Sequence, residues 1–529
     1  MRGFCVLTEN LKITKPPKTI FLFSLAGILF LWIITAPWGL GLSPDSGGYL
    51  SAARGLLEGR GLVEPSRWNQ TIPLLNFPPF FPTLLAGIGW FRLDPLEGAK
   101  ILHLFLFGIN IAGAGWFTFY ATRSGGASLW ASFFMLVSWV ILEIHAMVWS
   151  EPAFIFFGFL GLFLLSLYLD EKGKDVFLWA SAASFGLAFL TKYSGISFVA
   201  TGILAILFLG EDLLLKKIKN CLVLGAVSSL GMAGWLLRNH LKAGRSTELS
   251  LYFEPYVWND FRQTVSCISM WLLPENFPPW VRGTVLTVAL LLLGLATAVF
   301  IRKKKKEEKR STVFPWVLLL FSACFVGTYF LTTTFMGEQP LDNRGLSPVF
   351  IAGLIYVLVI GNHLRRILAP KSCLRISLTS LTLLLAVSYL VRGGAWALHA
   401  EREGLGYAGK QWKTSETVQA LKRLPSDVPI YTNAVDVAYL LARRLSSPIP
   451  AKEDLLKVHI PDLHKRQMKD YKVELEKMRQ ELKRGRGFVI FFNRIYWRWY
   501  YPSEEELVRT IPLQRVQKFS DGALYQGGQ

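Results

Sequence analysis

Asp45 stands in Leu42-Ser-Pro-Asp-Ser-Gly-Gly-Tyr-Leu50, directly after an apolar run. A carboxylate there, at the mouth of a membrane bundle, has the chemistry of a general base. Spacing alone leaves a second role open, an N-cap on a helix that begins at Ser46. Glu151, in Val148-Trp-Ser-Glu-Pro152, is another acid at the edge of an apolar run. An exposed loop acid ahead of a helix-starting proline also accounts for it. Lys192-Tyr193 fill a short turn between two apolar runs, and Arg344 stands in Leu341-Asp-Asn-Arg-Gly-Leu-Ser-Pro348. Cations at such places suit an anionic partner. The plainer alternatives are Lys192 snorkelling to lipid phosphate and a surface pair between Asp342 and Arg344. Glu143 and His145, near the end of a third run, read as a polar lining or a satisfied interhelical pair. The seven histidines have no HExxH or other ligand spacing, so the sequence supports no metal site. Five scattered cysteines without a CxxC exclude a disulfide framework and a thiolate zinc site.

The elements that must position these side chains follow from composition. Of 529 residues, 52% are hydrophobic and only 18% charged, too apolar for a soluble chain of this size. The fold class expected is therefore a polytopic α-helical membrane protein. Eleven apolar runs lie near 20–38, 101–121, 128–147, 152–169, 176–191, 195–210, 220–237, 283–301, 313–335, 347–361 and 376–391. Each has to be helical, because hydrocarbon offers no partner to a free backbone amide. The first is read as a span and not a removed leader, since Ala36-Pro37-Trp38 is a poor cleavage site.

The net charge is +20, and its placement argues for membrane sidedness over nucleic acid. With the N-terminus in the cytoplasm, Lys and Arg are roughly three times as dense in the cytoplasmic segments, among them 302–312, as in the outer ones. An odd number of spans then puts the C-terminus outside. The chain divides into a membrane region, 1–394, and an extracytoplasmic α/β domain, 395–529. The first outer loop, 39–100, carries a helix pattern after Asp45 and an interfacial segment ending near Trp90. In the tail, strands are expected at 428–433 and 487–493, and helices at 435–444, 464–484 and 503–510. On this topology Asp45, Glu151, Lys192 and Arg344 come from four separate loops and gather at one membrane face.

Several longer stretches carry a resemblance. They are Pro44-Asp-Ser-Gly-Gly-Tyr-Leu-Ser-Ala-Ala-Arg-Gly-Leu-Leu-Glu-Gly-Arg-Gly61, Phe77-Pro-Pro-Phe-Phe-Pro-Thr-Leu-Leu-Ala86 and Trp149-Ser-Glu-Pro-Ala-Phe154. Gly186-Leu-Ala-Phe-Leu-Thr-Lys-Tyr-Ser-Gly195, Arg344-Gly-Leu-Ser-Pro348, Pro429-Ile-Tyr-Thr-Asn433 and Ala438-Tyr-Leu-Leu-Ala-Arg443 continue it. In order and sidedness the chain resembles the GT-C glycosyltransferases, in the branch of the dolichyl-phosphate-mannose–protein mannosyltransferases and the bacterial aminoarabinose transferases. The resemblance implies transfer of a sugar from a polyprenyl-phosphate donor to a lipid, protein or polysaccharide acceptor at the outer face of the cell membrane. It implies Asp45 and Glu151 as catalytic acids. Lys192, Tyr193 and Arg344, with Tyr49 and Arg54 after Asp45, are the expected substrate contacts.

Two positions depart from the pattern. Ser46 stands where many relatives have a second acid, and Asn76-Phe77 precede Pro78-Pro79 where the aminoarabinose branch has an acid and a lysine. The resemblance fixes no cofactor and leaves room for a divalent cation. The rival class is a transporter or flippase of lipid-linked sugars, which calls for charges at mid-membrane and related halves.

Overall fold

The computed structural model describes residues 16–529 apart from 66–71, 171–173, 249–252, 254, 308–312, 337–340, 453–460, 486 and 528–529. Part of the basic run 302–312 thus lies outside the described residues. Contacts divide the chain into two units, one of Met1–Ile34, Ile101–Leu237 and Phe253–His399, the other of Thr35–Lys100, Arg238–Tyr252 and Ala400–Gln529.

The first unit is helical. Among the described residues seven helices are long and apolar enough to cross a membrane: Pro95–Thr122, Glu151–Asp170, Leu214–Ala243, Pro279–Arg302, Phe314–Met336, Ser347–Ile367 and Cys373–Glu403. The bent pair Gly125–Val137 and Trp139–Ala146 makes up to eight. The chain is a polytopic helical membrane protein. All eleven expected runs are helical, but Thr19–Ile34, Asp175–Thr191 and Tyr193–Leu209 fall below the length of the others.

The run at 128–147, expected as one span, bends by 56° at Ser138, whose ψ of 120° is extended. No proline or glycine lies at that point. Beside the bend, Gly393 passes against the Val137 carbonyl so closely that a Cβ would not fit.

Within the helices, hydroxyls are satisfied by the turn before them, as in Thr118 to Ala114 O (2.8 Å), Ser166 to Leu162 O (2.9 Å) and Thr201 to Ser197 O (2.6 Å). The packing is aromatic. Phe198 stacks on Phe321 with ring centres 4.5 Å apart and planes 10° from parallel, and Phe154 meets Phe198 at 5.1 Å.

The second unit holds a five-stranded mixed sheet in the order Ser447–Pro448, Ile430–Thr432, Phe488–Phe492, Gly522–Gly527, Leu513–Lys518. The first three strands are parallel and the last two pairings antiparallel. Tyr431, Val489, Met478, Leu482 and Tyr525 form its core. Three expected tail helices stand at Val435–Ala442, Pro461–Gly485 and Glu504–Thr510. The C-terminal hairpin was not expected. Leu513–Lys518 is an edge strand exposed along nearly its whole length, so it has no apolar alternation to read. The same unit contains the helices Pro44–Leu57 and Phe80–Gly89, the latter followed by exposed Trp90 and Phe91.

Candidate active site

In the first unit Glu151 opens the Glu151–Asp170 helix, Lys192 follows the Asp175–Thr191 helix in extended backbone, and Arg344 precedes the Ser347–Ile367 helix. These three distant segments meet. Lys192 Nζ donates to Glu151 Oε1 at 2.6 Å; Arg344 Nε donates to the same oxygen at 2.6 Å, and its Nη2 donates to Oε2 at 3.3 Å. The Glu151 side chain is 1% exposed, whereas Lys192 is 26% and Arg344 22% exposed. A buried carboxylate thus carries two half-buried cations, and these three groups sum to one positive charge.

Arg344 also lies over the Trp149 ring, 4.1 Å from its centre. Trp149 was not singled out in the sequence, although its place two residues before Glu151 was the available signal. Lys192 is committed to Glu151 and so does not simply snorkel. Asp342 accepts from the Gly345 N–H at 2.6 Å, while Arg344 turns to Glu151.

A second layer fixes this corner. Asn110 Nδ2 donates to His145 Nε2 and to the Pro152 carbonyl, both at 3.1 Å. His145 Nδ1 donates to Ile141 O at 2.8 Å, and His103 Nδ1 to His145 O at 2.9 Å. His145 is therefore held by Asn110 and backbone, with Glu143 absent from these bonds. Tyr193 OH accepts from Trp235 Nε1 at 3.3 Å.

Asp45 belongs to the second unit, on Pro44–Leu57. The N-cap is Ser43, with Pro44 in the first turn, and the Ser43 N–H donates to Ser46 Oγ at 3.0 Å. Proline, which lacks an N–H, sets the helix start one residue before Asp45. Asp45 is consequently a first-turn residue, half-buried, and the capping role belongs to Ser43.

Tyr49 on the same helix is buried between Phe77 and Phe81, ring centres 4.5 and 5.0 Å away. Gly48 admits Phe77, whose ring would lie 2.8 Å from a Cβ there. Arg54 Nη2 donates to Asp94 Oδ1 at 2.9 Å and its Nε to Oδ2 at 3.3 Å. Arg443 Nη2 reaches Asp94 Oδ2 at 2.9 Å. Burial alone would raise the Asp94 carboxyl, but its bonds to Arg54, the Leu96 N–H and Arg443 bring it to about 2.

Among the described residues no three His, Cys, Asp or Glu side chains group as metal ligands. The Glu151 carboxylate already faces two cations, which repel a divalent ion at that corner.

No protein-family model matches the sequence, and no curated protein does. Solved structures share the architecture. The aminoarabinose transferase ArnT of Cupriavidus metallidurans, bound to undecaprenyl phosphate, superposes with a TM-score of 0.59 at 13% identity, covering 97% of this chain and 99% of that one. The archaeal oligosaccharyltransferase AglB of Archaeoglobus fulgidus, in complex with an inhibitory peptide and a dolichol-phosphate, gives 0.51 at 11% identity, covering 97% of this chain and 74% of that one. The mycobacterial arabinofuranosyltransferase AftD gives 0.54 at 11% identity, covering 97% of this chain and 40% of that one. The chain has the GT-C glycosyltransferase fold.

Proposed function

We propose that the protein is a membrane glycosyltransferase that moves a sugar from a polyprenyl-phosphate donor to an acceptor at the outer face of the cell membrane. The observation that carries this reading is the Glu151 cluster. Lys192 and Arg344, held on one buried carboxylate, form a preset cationic surface suited to a phosphate leaving group. Solved proteins of the same fold bind undecaprenyl phosphate and dolichol-phosphate, the lipid phosphates that such a donor would leave behind.

In this mechanism Asp45 takes the proton of the acceptor's nucleophile as that atom bonds to the anomeric carbon. The bond from that carbon to the phosphate oxygen breaks on the opposite face, so the configuration inverts. The electron pair leaves with the lipid phosphate, whose charge Lys192 and Arg344 stabilise. Glu151 keeps the two cations in place, and Tyr193, Tyr49 and Arg54 are the further substrate contacts of this reading. The reading includes eleven spans, a cytoplasmic N-terminus and residues 395–529 outside.

The test is incubation of the purified full chain with labelled polyprenyl-phosphate sugars and extracted acceptors. Label transfer or hydrolysis supports the enzyme; movement of intact donor across proteoliposomes without turnover supports the flippase. Asp45 and Arg344 must also be accessible from one side of the membrane, which thiol labelling of single-cysteine variants reads directly. Labelling from opposite sides removes the proposal.

A further inference from the structure

We infer that the carboxyl-terminal segment holds the Asp45 helix in register, with Asp436 as its positioning residue. The inference rests on Asp45 being the base. Asp436 lies in the first turn of Val435–Ala442 and is 7% exposed. Its carboxylate is fully engaged. Arg498 Nη1 donates to Oδ1 and Nη2 to Oδ2, both at 2.9 Å, and Tyr407 OH donates to Oδ2 at 2.8 Å. Arg498 Nη1 also donates to the Asn433 carbonyl at 2.9 Å, which fixes the guanidinium to the backbone just before that helix. A bidentate, buried pair of this kind has little freedom to swing.

This locked side chain bears on the backbone beside Asp45. A Cβ on Gly47 would lie 3.4 Å from Asp436 Cβ and 3.8 Å from its Cα, ordinary contact distances, so the helix packs beside Asp436 with room for little more than a methyl group between them. Tyr407 closes the other side. Its backbone N–H donates to the Leu42 carbonyl at 2.8 Å, next to the parallel bridge between Leu42 and Gly406. Asp45 is thus bracketed by two anchor points, Leu42 before it and Gly47 after it, and both are tied through Tyr407.

The far end of the same helix is pinned as well. Arg54 pairs with Asp94, which also takes Arg443, and Arg54 lies 5.5 Å from the centre of the Tyr439 ring. One short helix of the tail therefore fixes the Asp45 helix at both ends. A catalytic group displaced by about 1 Å loses rate on the order of 10²-fold, so this clamp bears on turnover more than on donor binding.

The experiment uses the full chain and the labelled-donor assay. Tyr407→Phe keeps the ring and the backbone N–H and removes one bond to Asp436; Gly47→Leu leaves the ion pair intact and pushes the helix off it. Each is expected to lower kcat by about 10- to 100-fold while donor KM stays within about twofold. In an Asp45→Asn background neither should add a further loss, because the positioned group is already gone.

Unchanged kcat in both variants, or losses that add in full to Asp45→Asn, overturn the inference while leaving the base assignment standing. Full activity of Asp45→Asn itself overturns the base assignment instead, and the two failures are thereby distinguished.

Discussion

Arg344 reaches Glu151 from 193 positions away, its Nε 2.6 Å from Oε1, and finds Lys192 already on the same oxygen. One carboxylate between two cations is asymmetric in what its removal does. Glu151→Gln leaves two like charges side by side at a buried site, which costs about 3–5 kcal/mol when a buried pair is broken. The expected outcome is a clear drop in thermal midpoint in detergent.

Lys192→Ala or Arg344→Ala removes a partly exposed partner and lowers stability less. A hydrogen bond to a charged group contributes about 1.5–3 kcal/mol. Each alanine variant should therefore raise donor KM roughly 10- to 100-fold. Equal donor kinetics in both alanine variants and the parent would show that these cations serve packing alone.

Asp45→Asn is expected to reduce kcat by about 10²–10⁴-fold, the range of a lost general base. The thermal midpoint should hardly move, because Ser43 and Pro44 start the helix and Asp45 does not cap it. Turnover and unfolding measured on the same preparation separate the two effects. A matched fall in both would assign Asp45 to structure.

What the sequence disclosed and what it hid divide by the range of the interaction. The apolar runs became helices because membrane burial is written residue by residue, and Lys192 and Arg344 drew notice because charge beside such runs is rare. That both cations share Glu151 was hidden, since no local signal spans so many positions. Asp436, Arg498 and Tyr407 form no motif and become a cluster only through the tail's fold. The bend at Ser138 has no proline or glycine in its own run to announce it, and its close neighbour Gly393 is far away in sequence. The Asp45 capping alternative was decided one residue upstream, by proline.

Glu64 gives the second unit a pH dependence. Burial first, then the nearby Glu248 carboxylate, push its carboxyl up to about 7, against the pull of the Leu75 and Asn76 N–H groups. Between the ordinary value of 4.5 and about 7 the folded chain keeps a proton that the unfolded chain has lost. The contribution of Glu64 to stability is therefore full below 4.5 and is lost as pH rises through about 7. Glu64→Gln cannot ionise, so its thermal midpoint should fall less than the parent's between pH 5 and pH 8 and exceed it at the upper end. Identical slopes in the two proteins would exclude Glu64 as the source.

Two glycines in candidate spans separate tight packing from backbone propensity. Gly158 faces the Phe198 ring so closely that three ring atoms would collide with a Cβ. Phe198 has nowhere to go: it is fully buried and stacked on Phe321 at 4.5 Å and on Phe185 at 5.8 Å. Overpacking of this kind costs about 1–3 kcal/mol, so Gly158→Ala should lower the thermal midpoint. Gly294, in Pro279–Glu307, has nothing within 4 Å of its Cβ position. There alanine only restricts the unfolded chain, a gain of about 0.5–1 kcal/mol, so Gly294→Ala should hold or raise the midpoint. Unfolding of both variants in one detergent decides it, and a larger loss at Gly294 than at Gly158 would contradict the packing described for the aromatic core.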